Sequence, residues 1–175
     1  MLFEREYKNM ENEKDNWKKI VDKLIEENLT ISTMESCTGG GIANEITNIS
    51  GASSVIMESY VTYCNEAKIK HGVPKEIIDK YTVYSQETAI EMAKAVKKET
   101  KSDIGIGVTG QLGRIDPSNP VDKLNCVWFA IVNENNDVIV RKICVSDSER
   151  KEQKKEVLNC ISEEILKMLL CTEQK

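Results

Sequence analysis

Three consecutive glycines, Gly39–Gly41, directly follow the run LTISTMESCT at residues 29–38. The first part of that run is rich in β-branched residues and predicts a strand. Glycine lacks a Cβ atom and is typical of tight turns, so the strand must end before the glycines. The segment GIANEITNI predicts a helix, which Gly51 ends. A strand, a tight turn and a helix in direct succession are typical of a layered α/β protein.

Helical patterns occupy much of the remaining chain. Apolar residues recur every three or four positions after Asp15 and between Asp147 and Leu170, which predicts an amphipathic helix near each end. Ser85 is a suitable N-cap for SQETAIEMAKAVKKET, whose first turn is acidic and last turn basic. Shorter helices are predicted for NEAKIKHG, with Asn65 as N-cap, and for VPKEIIDKY, which has a proline at its start.

Four further segments predict strands: SSVIMESYVTYC, SDIGIGVTG, CVWFAIV and VIVRKICV. The last two flank the turn NENND and predict a β-hairpin, so the sheet is expected to be mixed. Open sheets with helices around them bind ligands outside the carboxyl ends of their strands. Both ESCTGGG and TGQLGR stand at such predicted ends. We therefore expect the two segments to form one composite site.

The composition is that of an ordinary globular protein, with 175 residues, 40% of them hydrophobic and 30% charged. The net charge of −5 and the lack of a basic face argue against nucleic-acid binding. No stretch approaches the roughly 18 apolar residues of a membrane span, and the first residues have no apolar leader region. We expect a cytoplasmic protein that binds neither nucleic acid nor a membrane.

Six cysteines lie far apart and form no C-x-x-C pair. Structural zinc sites need closely spaced ligands, so no metal is expected, and reduced thiols are expected in a cytosolic chain. Residues 1–14 are almost all charged or polar and predict an N-terminal arm. Residues 15–171 are long enough for one domain with a core.

The glycine-rich turn has three interpretations that the residues leave open. Unpaired N–H groups at the start of the predicted helix attract an anion, which is either a phosphate or the oxyanion of an acyl-transfer intermediate. The segment matches neither the P-loop nor the dinucleotide fingerprint. The third interpretation is a plain strand–helix turn in which Ser36 or Thr38 caps the helix.

Two side chains before the glycines are candidate nucleophiles. Ser36 needs a base, and the only histidine of the chain is His71. Lys68 lies one helical turn before it and becomes a base if burial lowers its pKa, although an ordinary solvated lysine is the simpler interpretation. Cys37 is intrinsically the stronger nucleophile, but most free cysteines are small buried core residues.

Several ordered blocks carry a resemblance to a known family: ESCTGG, NISGAS, YVTYCNEAKIKHGVP, VYSQETAIEMAKAV and GVTGQLG. Together they resemble the C-terminal domain of the CinA (competence-damage-inducible) family over residues 17–170. The resemblance implies a three-layer α/β/α sandwich on a mixed sheet. It also implies hydrolysis of nicotinamide mononucleotide to nicotinic acid mononucleotide and ammonia, without metal or cofactor.

The resemblance also implies roles for particular residues. Ser36 would be the nucleophile and Lys68 the base, with Tyr63 nearby, and N–H groups of the glycine turn would stabilise the oxyanion. Substrate-lining positions would be Thr38, Gly39, Gly40, Thr109 and Gly110. For the substrate phosphate we expect a contact from Arg150, with Lys154 as a weaker candidate; the alternative is a solvated helix end.

The chain departs from the family pattern after Gly110. The family continues Ile-Ala-Gly-Pro, whereas this chain has Gln111, Leu112, Gly113 and Arg114. Arg114 is a third candidate for the phosphate. Because this loop is expected to border the substrate, a non-catalytic nucleotide-binding or regulatory module is the alternative to an enzyme. A homo-oligomer is expected by analogy with the family.

Overall fold

The structure, a computed structural model, describes residues 16–114 and 124–171, so the predicted arm at 1–14 lies outside the described residues. Helix α1 covers residues 16–27. The elements that follow are β1 (Ile31–Glu35), α2 (Gly41–Thr47), a short 3-10 helix (Ala52–Ser54), β2 (Ile56–Val61), α3 (Asn65–Lys70), α4 (Lys75–Tyr81), α5 (Gln86–Thr100), β3 (Ile104–Gln111), β4 (Cys126–Val132), β5 (Val138–Cys144) and α6 (Arg150–Cys171).

In residues 16–114 and 124–171, the strands form one five-stranded sheet in the order β2-β1-β3-β4-β5. Strand β1 is parallel to both β2 and β3, whereas β3, β4 and β5 are antiparallel to one another. The predicted hairpin and the mixed sheet are therefore confirmed. Because β1 and β3 are parallel neighbours, their carboxyl ends lie side by side at one edge.

Helices cover both faces of the sheet, which confirms the three-layer α/β/α arrangement. On one face, α1 and α6 pack against side chains such as Ile106 and Phe129 through an apolar cluster that includes Trp17 and Ile161. On the other face, α5 packs against β1, β3 and β4. Successive residues of a strand point to opposite faces, which is why one strand serves both cores.

Helix α5 approaches β3 so closely that glycine is required there. A Cβ atom at Gly107 would lie 2.2 Å from the carbonyl oxygen of Ala89, and one at Gly105 would lie 2.3 Å from that of Ala93. Both obstacles are backbone atoms, so they cannot move aside as a side chain does. This close packing fixes the position of the helix above the sheet edge that carries the site.

Several predicted boundaries are confirmed and others shift. Ser85 caps α5, since its hydroxyl accepts a hydrogen bond from the Thr88 N–H. Asn65 is the first residue of α3 and not its N-cap, which is Cys64. Helix α6 begins at Arg150, three residues later than the predicted Asp147. The shift arises because the preceding chain forms a separate turn.

The prediction of reduced thiols is wrong for one pair of cysteines. Cys126 and Cys144 lie directly opposite each other on β4 and β5 and form a disulfide. The two residues are 18 positions apart, and only the register of the hairpin brings them together. The other four cysteines, Cys37, Cys64, Cys160 and Cys171, are free.

Candidate active site

The carboxyl ends of β1 and β3 meet beside a cavity of about 590 Å³. The register pairs Glu35 with Val108, and the Ser36 N–H donates to the Val108 carbonyl at 3.1 Å. The segments ESCTGGG and TGQLGR therefore lie together, as the strand order predicts. The cavity is bordered by Ser36, Cys37, Tyr63, Cys64, Asn65, Glu66, Lys68, Val83, Tyr84, Gly110, Gln111, Leu112, Arg114 and Arg150.

Lys68 and Ser36 are in contact although they are far apart in sequence. Helix α3 follows β2 after a short connection, and Lys68 is its buried residue. The lysine side chain is only 1% exposed. Its Nζ atom lies 3.3 Å from Ser36 Oγ and donates to the Thr62 carbonyl at 2.7 Å. The structure thus brings the two residues into hydrogen-bonding distance.

Burial makes the Lys68 amine a stronger candidate for proton transfer than an ordinary lysine. Loss of hydration lowers its pKa from 10.5 to about 8, against smaller opposing effects of the thiols of Cys64 and Cys37. An uncharged amine has a lone pair that accepts the Ser36 hydroxyl hydrogen, while one of its N–H groups still donates to Thr62. This arrangement is able to activate the hydroxyl as a nucleophile.

The rival nucleophile and the rival base both lack a suitable environment. Cys37 borders the cavity, but burial raises the pKa of its thiol to about 12, with only partial compensation from Arg150 and Lys154. The thiol is therefore protonated at neutral pH. His71 does not border the cavity; it contacts Glu99 and stacks on the Tyr60 ring.

The glycine turn differs from the predicted anion site because the protein supplies its own anion. Glu35 is fully buried at the end of β1, and its carboxylate accepts hydrogen bonds from the N–H groups of Ile42 and Ala43 at 3.2 and 3.1 Å. These N–H groups belong to the first turn of α2, where an N–H group has no carbonyl partner within the helix. Gly39 and Gly40 have positive φ angles of 65° and 88°, which turn the chain back so that the carboxylate reaches the helix.

The comparison with protein families decides the classification. The family model described as the CinA C-terminal domain matches residues 13–170. The chain belongs to this family. A "CinA-like protein" of Kosmotoga olearia is 48% identical over 105 residues, which is 58% of this chain and 26% of that protein. A "putative competence-damage inducible protein" of Clostridioides difficile is 39% identical over 129 residues, or 73% of this chain and 30% of that protein.

Solved structures of the family share the fold. The competence/damage-inducible protein CihA from Agrobacterium tumefaciens is 28% identical, with a TM-score of 0.80 and coverage of 93% of this chain and 96% of that chain. A competence or damage-inducible protein from Enterobacter asburiae is 23% identical, with a TM-score of 0.83 and coverage of 90% and 98%. The chain spans between a quarter and a third of the length of the two curated relatives above.

Of the substrate-lining residues expected from the CinA resemblance, only Gly110 borders the cavity. The hydroxyl of Thr109 is occupied by the protein, since it donates to the Val83 carbonyl at 2.7 Å. Thr38, Gly39 and Gly40 follow Cys37 in the glycine turn. The positions that do not border the cavity are Thr38, Gly39, Gly40 and Thr109.

Two of the three candidate phosphate-binding cations border the cavity. The guanidinium of Arg150 donates to the Leu112 carbonyl and, at 2.8 Å, to the hydroxyl of Tyr63, which is 63% exposed. Arg114 borders the same cavity. Lys154 does not; its amine lies beside Gly39, where an added Cβ would be 3.2 Å from Nζ.

Residues missed by the sequence analysis are Glu35 and the side-chain amide of Gln111. The signal for Glu35 is a carboxylate shortly before the glycine run that precedes a helix, since a carboxylate there is able to bind the N–H groups of the first helical turn. Gln111 stands out in sequence only as a departure from the family pattern.

Within the described ranges, no three or more His, Cys, Asp or Glu side chains are grouped so as to hold a metal ion. No helix in those same ranges is long and apolar enough to cross a bilayer.

Proposed function

We propose that the protein hydrolyses the carboxamide of nicotinamide mononucleotide to nicotinic acid mononucleotide and ammonia. One observation carries the proposal. The buried Lys68 amine lies 3.3 Å from the Ser36 hydroxyl, beside a cavity large enough for a mononucleotide, and its pKa is lowered to about 8. A paired hydroxyl and uncharged amine are the groups that acyl transfer requires.

The proposed reaction has two stages. Ser36 Oγ bonds to the carboxamide carbon while its proton passes to Lys68 Nζ. The C–N bond then breaks, and the protonated amine gives that proton to the leaving nitrogen, which departs as ammonia. In the second stage, Lys68 takes a proton from water, whose oxygen bonds to the acyl carbon. The C–Oγ bond breaks, the proton returns to Ser36, and the acid product leaves.

The charge of the cavity supports an anionic substrate. The chain carries a net charge of −5, yet the guanidinium groups of Arg150 and Arg114 both border this cavity. A phosphate is well matched to guanidinium donors. We propose that Arg150 binds it, with Arg114 as a second contact. We further propose that the protein acts in the cytoplasm on a small molecule, as a homo-oligomer and without cofactor or nucleic-acid partner.

The proposal is tested by product analysis of the purified protein. Ammonia release and nicotinic acid mononucleotide formation are measured together for the wild type, Ser36→Ala and Lys68→Met. Each substitution is expected to lower kcat by roughly 10²–10⁴-fold, the usual contribution of such groups. Cys37→Ala is the matched control and should retain activity. Activity that disappears in Cys37→Ala but persists in Ser36→Ala would contradict the mechanism.

A second candidate function is a nucleotide-binding module without catalysis. It is favoured by the three changed residues Gln111, Leu112 and Arg114 and by the occupied helix start, since Glu35 already uses two N–H groups of the first turn of α2. Binding of the nucleotide to the wild type, with no turnover of any mononucleotide amide tested, would support this candidate over the enzyme.

A further inference from the structure

Gln111 is a buried side chain whose polar atoms have no hydrogen-bond partner in the described part of the chain. It is the last residue of β3, it is only 4% exposed, and it borders the cavity beside Ser36. Neither Oε1 nor Nε2 makes a hydrogen bond to any residue that the structure describes. Buried amide groups are normally paired, because an unpaired buried donor or acceptor destabilises the folded protein. A ligand in the cavity would supply the missing partners.

The register places Gln111 on the same face of the sheet as Ser36. Glu35 pairs with Val108, so Ser36 is level with Thr109, and Gln111 lies two residues further along the same face. Two strand residues span ~7 Å. The next residue, Leu112, accepts a hydrogen bond from Arg150. Ser36, Gln111 and Arg150 therefore border one cavity, and Gln111 stands between the level of Ser36 and the residue whose carbonyl Arg150 contacts.

A pyridine mononucleotide carries polar groups that suit these three residues. The carboxamide stands at one end, the phosphate stands at the other, and the ribose with its two vicinal hydroxyls lies between them. If the carboxamide is at Ser36 and the phosphate at Arg150, the ribose lies in the part of the cavity between them, within which Gln111 is a buried polar side chain that is unpaired among the described residues. Each hydroxyl donates and accepts, and the Gln111 amide offers one acceptor and one donor group.

We propose that Gln111 is a specificity-determining residue that binds the ribose hydroxyls of the substrate. Oε1 accepts from one hydroxyl, and Nε2 donates to the other. This inference rests on the proposed function for the identity of the substrate. The nearby hydroxyl of Thr109 does not compete for this role, because it is bonded to the Val83 carbonyl.

The test compares two ligands, nicotinamide mononucleotide and its 2′,3′-dideoxy analogue. Binding is measured by calorimetry in the Ser36→Ala background, so that the result does not depend on turnover. Protein with Gln111 should bind nicotinamide mononucleotide roughly 10- to 100-fold more tightly than the dideoxy analogue, as expected for two hydrogen bonds. Methionine has a similar volume to glutamine, and in Gln111→Met the two dissociation constants should differ by no more than about threefold.

Gln153→Met is the matched control. Gln153 is also a buried glutamine, but its amide nitrogen donates to the Ser146 carbonyl at 3.1 Å and it does not border the cavity. Its replacement should lower the melting temperature and leave the ribose preference unchanged. Gln111→Met should melt at the same temperature as the parent protein or higher, because no hydrogen bond is lost.

Two results overturn the inference: Gln111→Met that keeps the full ribose preference, or parent protein that binds neither ligand. Failure of the proposed function has a different signature. In that case, the ribose preference depends on Gln111 as expected, but wild-type protein releases no ammonia from nicotinamide mononucleotide. The binding measurement therefore tests the role of Gln111, and the measurement of ammonia release tests the proposed function.

Discussion

Replacement of Lys68 by methionine should stabilise the protein at neutral pH while removing its proposed activity. The Lys68 side chain is 1% exposed and has no carboxylate partner among its hydrogen bonds, which join it to Ser36 and Thr62. At neutral pH, its charged form is therefore held in a poorly hydrated position. Methionine has a similar length and carries no charge, so it removes this unfavourable burial.

The magnitude follows from the pKa of the Lys68 amine. Burial lowers it from 10.5 to about 8, so the unfolded chain binds more protons than the folded protein between these two pH values. Stability therefore rises with pH across this interval and is lost as the pH falls through 8. At pH 7, protonation lowers the free energy of unfolding by roughly 3 kcal/mol, and at pH 10 by less than about 1 kcal/mol.

The assay is urea unfolding of wild type and Lys68→Met at pH 7 and pH 10. The difference between the two proteins should change by roughly 2–3 kcal/mol between these pH values, with the variant relatively more stable at pH 7. The lost hydrogen bond to Thr62 lowers the stability of the variant at both pH values and cancels in this comparison. Lys70→Met, at an exposed position of the same helix, is the control and should show no such change. A difference between Lys68→Met and wild type that is independent of pH would refute the reasoning.

Three further predictions concern rate and packing. The kcat/KM for ammonia release should rise about tenfold from pH 7 to pH 9, with an inflection near the Lys68 pKa of about 8; a flat profile would exclude Lys68 as the base. Gly107→Ala should lower the free energy of unfolding by about 3 kcal/mol or more, because its Cβ would lie 2.2 Å from the Ala89 carbonyl oxygen. Thermal unfolding should show a much smaller loss for Gly41→Ala, whose Cβ would meet only a flexible leucine side chain, and equal losses would contradict the packing argument. Glu35→Gln should cost about 1–3 kcal/mol in urea unfolding, since a charged cap of α2 is lost; an unchanged midpoint would argue against the cap.

The strands, the hairpin and the mixed character of the sheet could be predicted from local sequence, because the responsible signals are local, whereas the order of the strands could not. Alternating strand and helix patterns indicate the layers, and the turn NENND between two β-branched segments indicates the hairpin. The N-cap of α5 is equally local, since Ser85 and its bonded N–H are three residues apart. The position of the site at the ends of β1 and β3 follows once the strands are parallel neighbours.

The contacts within the site could not be predicted in the same way, because they depend on tertiary distances. Lys68 and Ser36 are 32 residues apart, and the residues alone left Lys68 as one open candidate for the base, which the CinA resemblance then favoured. The disulfide of Cys126 and Cys144 depends on hairpin register, which a shift of one residue would change. The burial of Gln111 likewise depends on tertiary structure, where β3 pairs with β4 and Gln111 lies opposite Cys126.

Two buried groups with poor partners border the cavity where β1 and β3 end, and their position argues for a ligand. Among the described residues, the amide of Gln111 is buried there without hydrogen bonds, and Lys68 is buried there without a counterion. Within the same described ranges, the hydroxyls of Thr38 and Thr62 and Oε1 of Gln153 are also buried without hydrogen bonds, but they do not border the cavity. An apolar residue at each position would make the folded protein more stable. Folding therefore does not explain why the amine of Lys68 and the amide of Gln111 stand beside one cavity. A bound molecule with a carboxamide, hydroxyls and a phosphate would provide partners for Lys68 and Gln111. Its binding would then offset the loss in free energy of unfolding that these two buried groups cause.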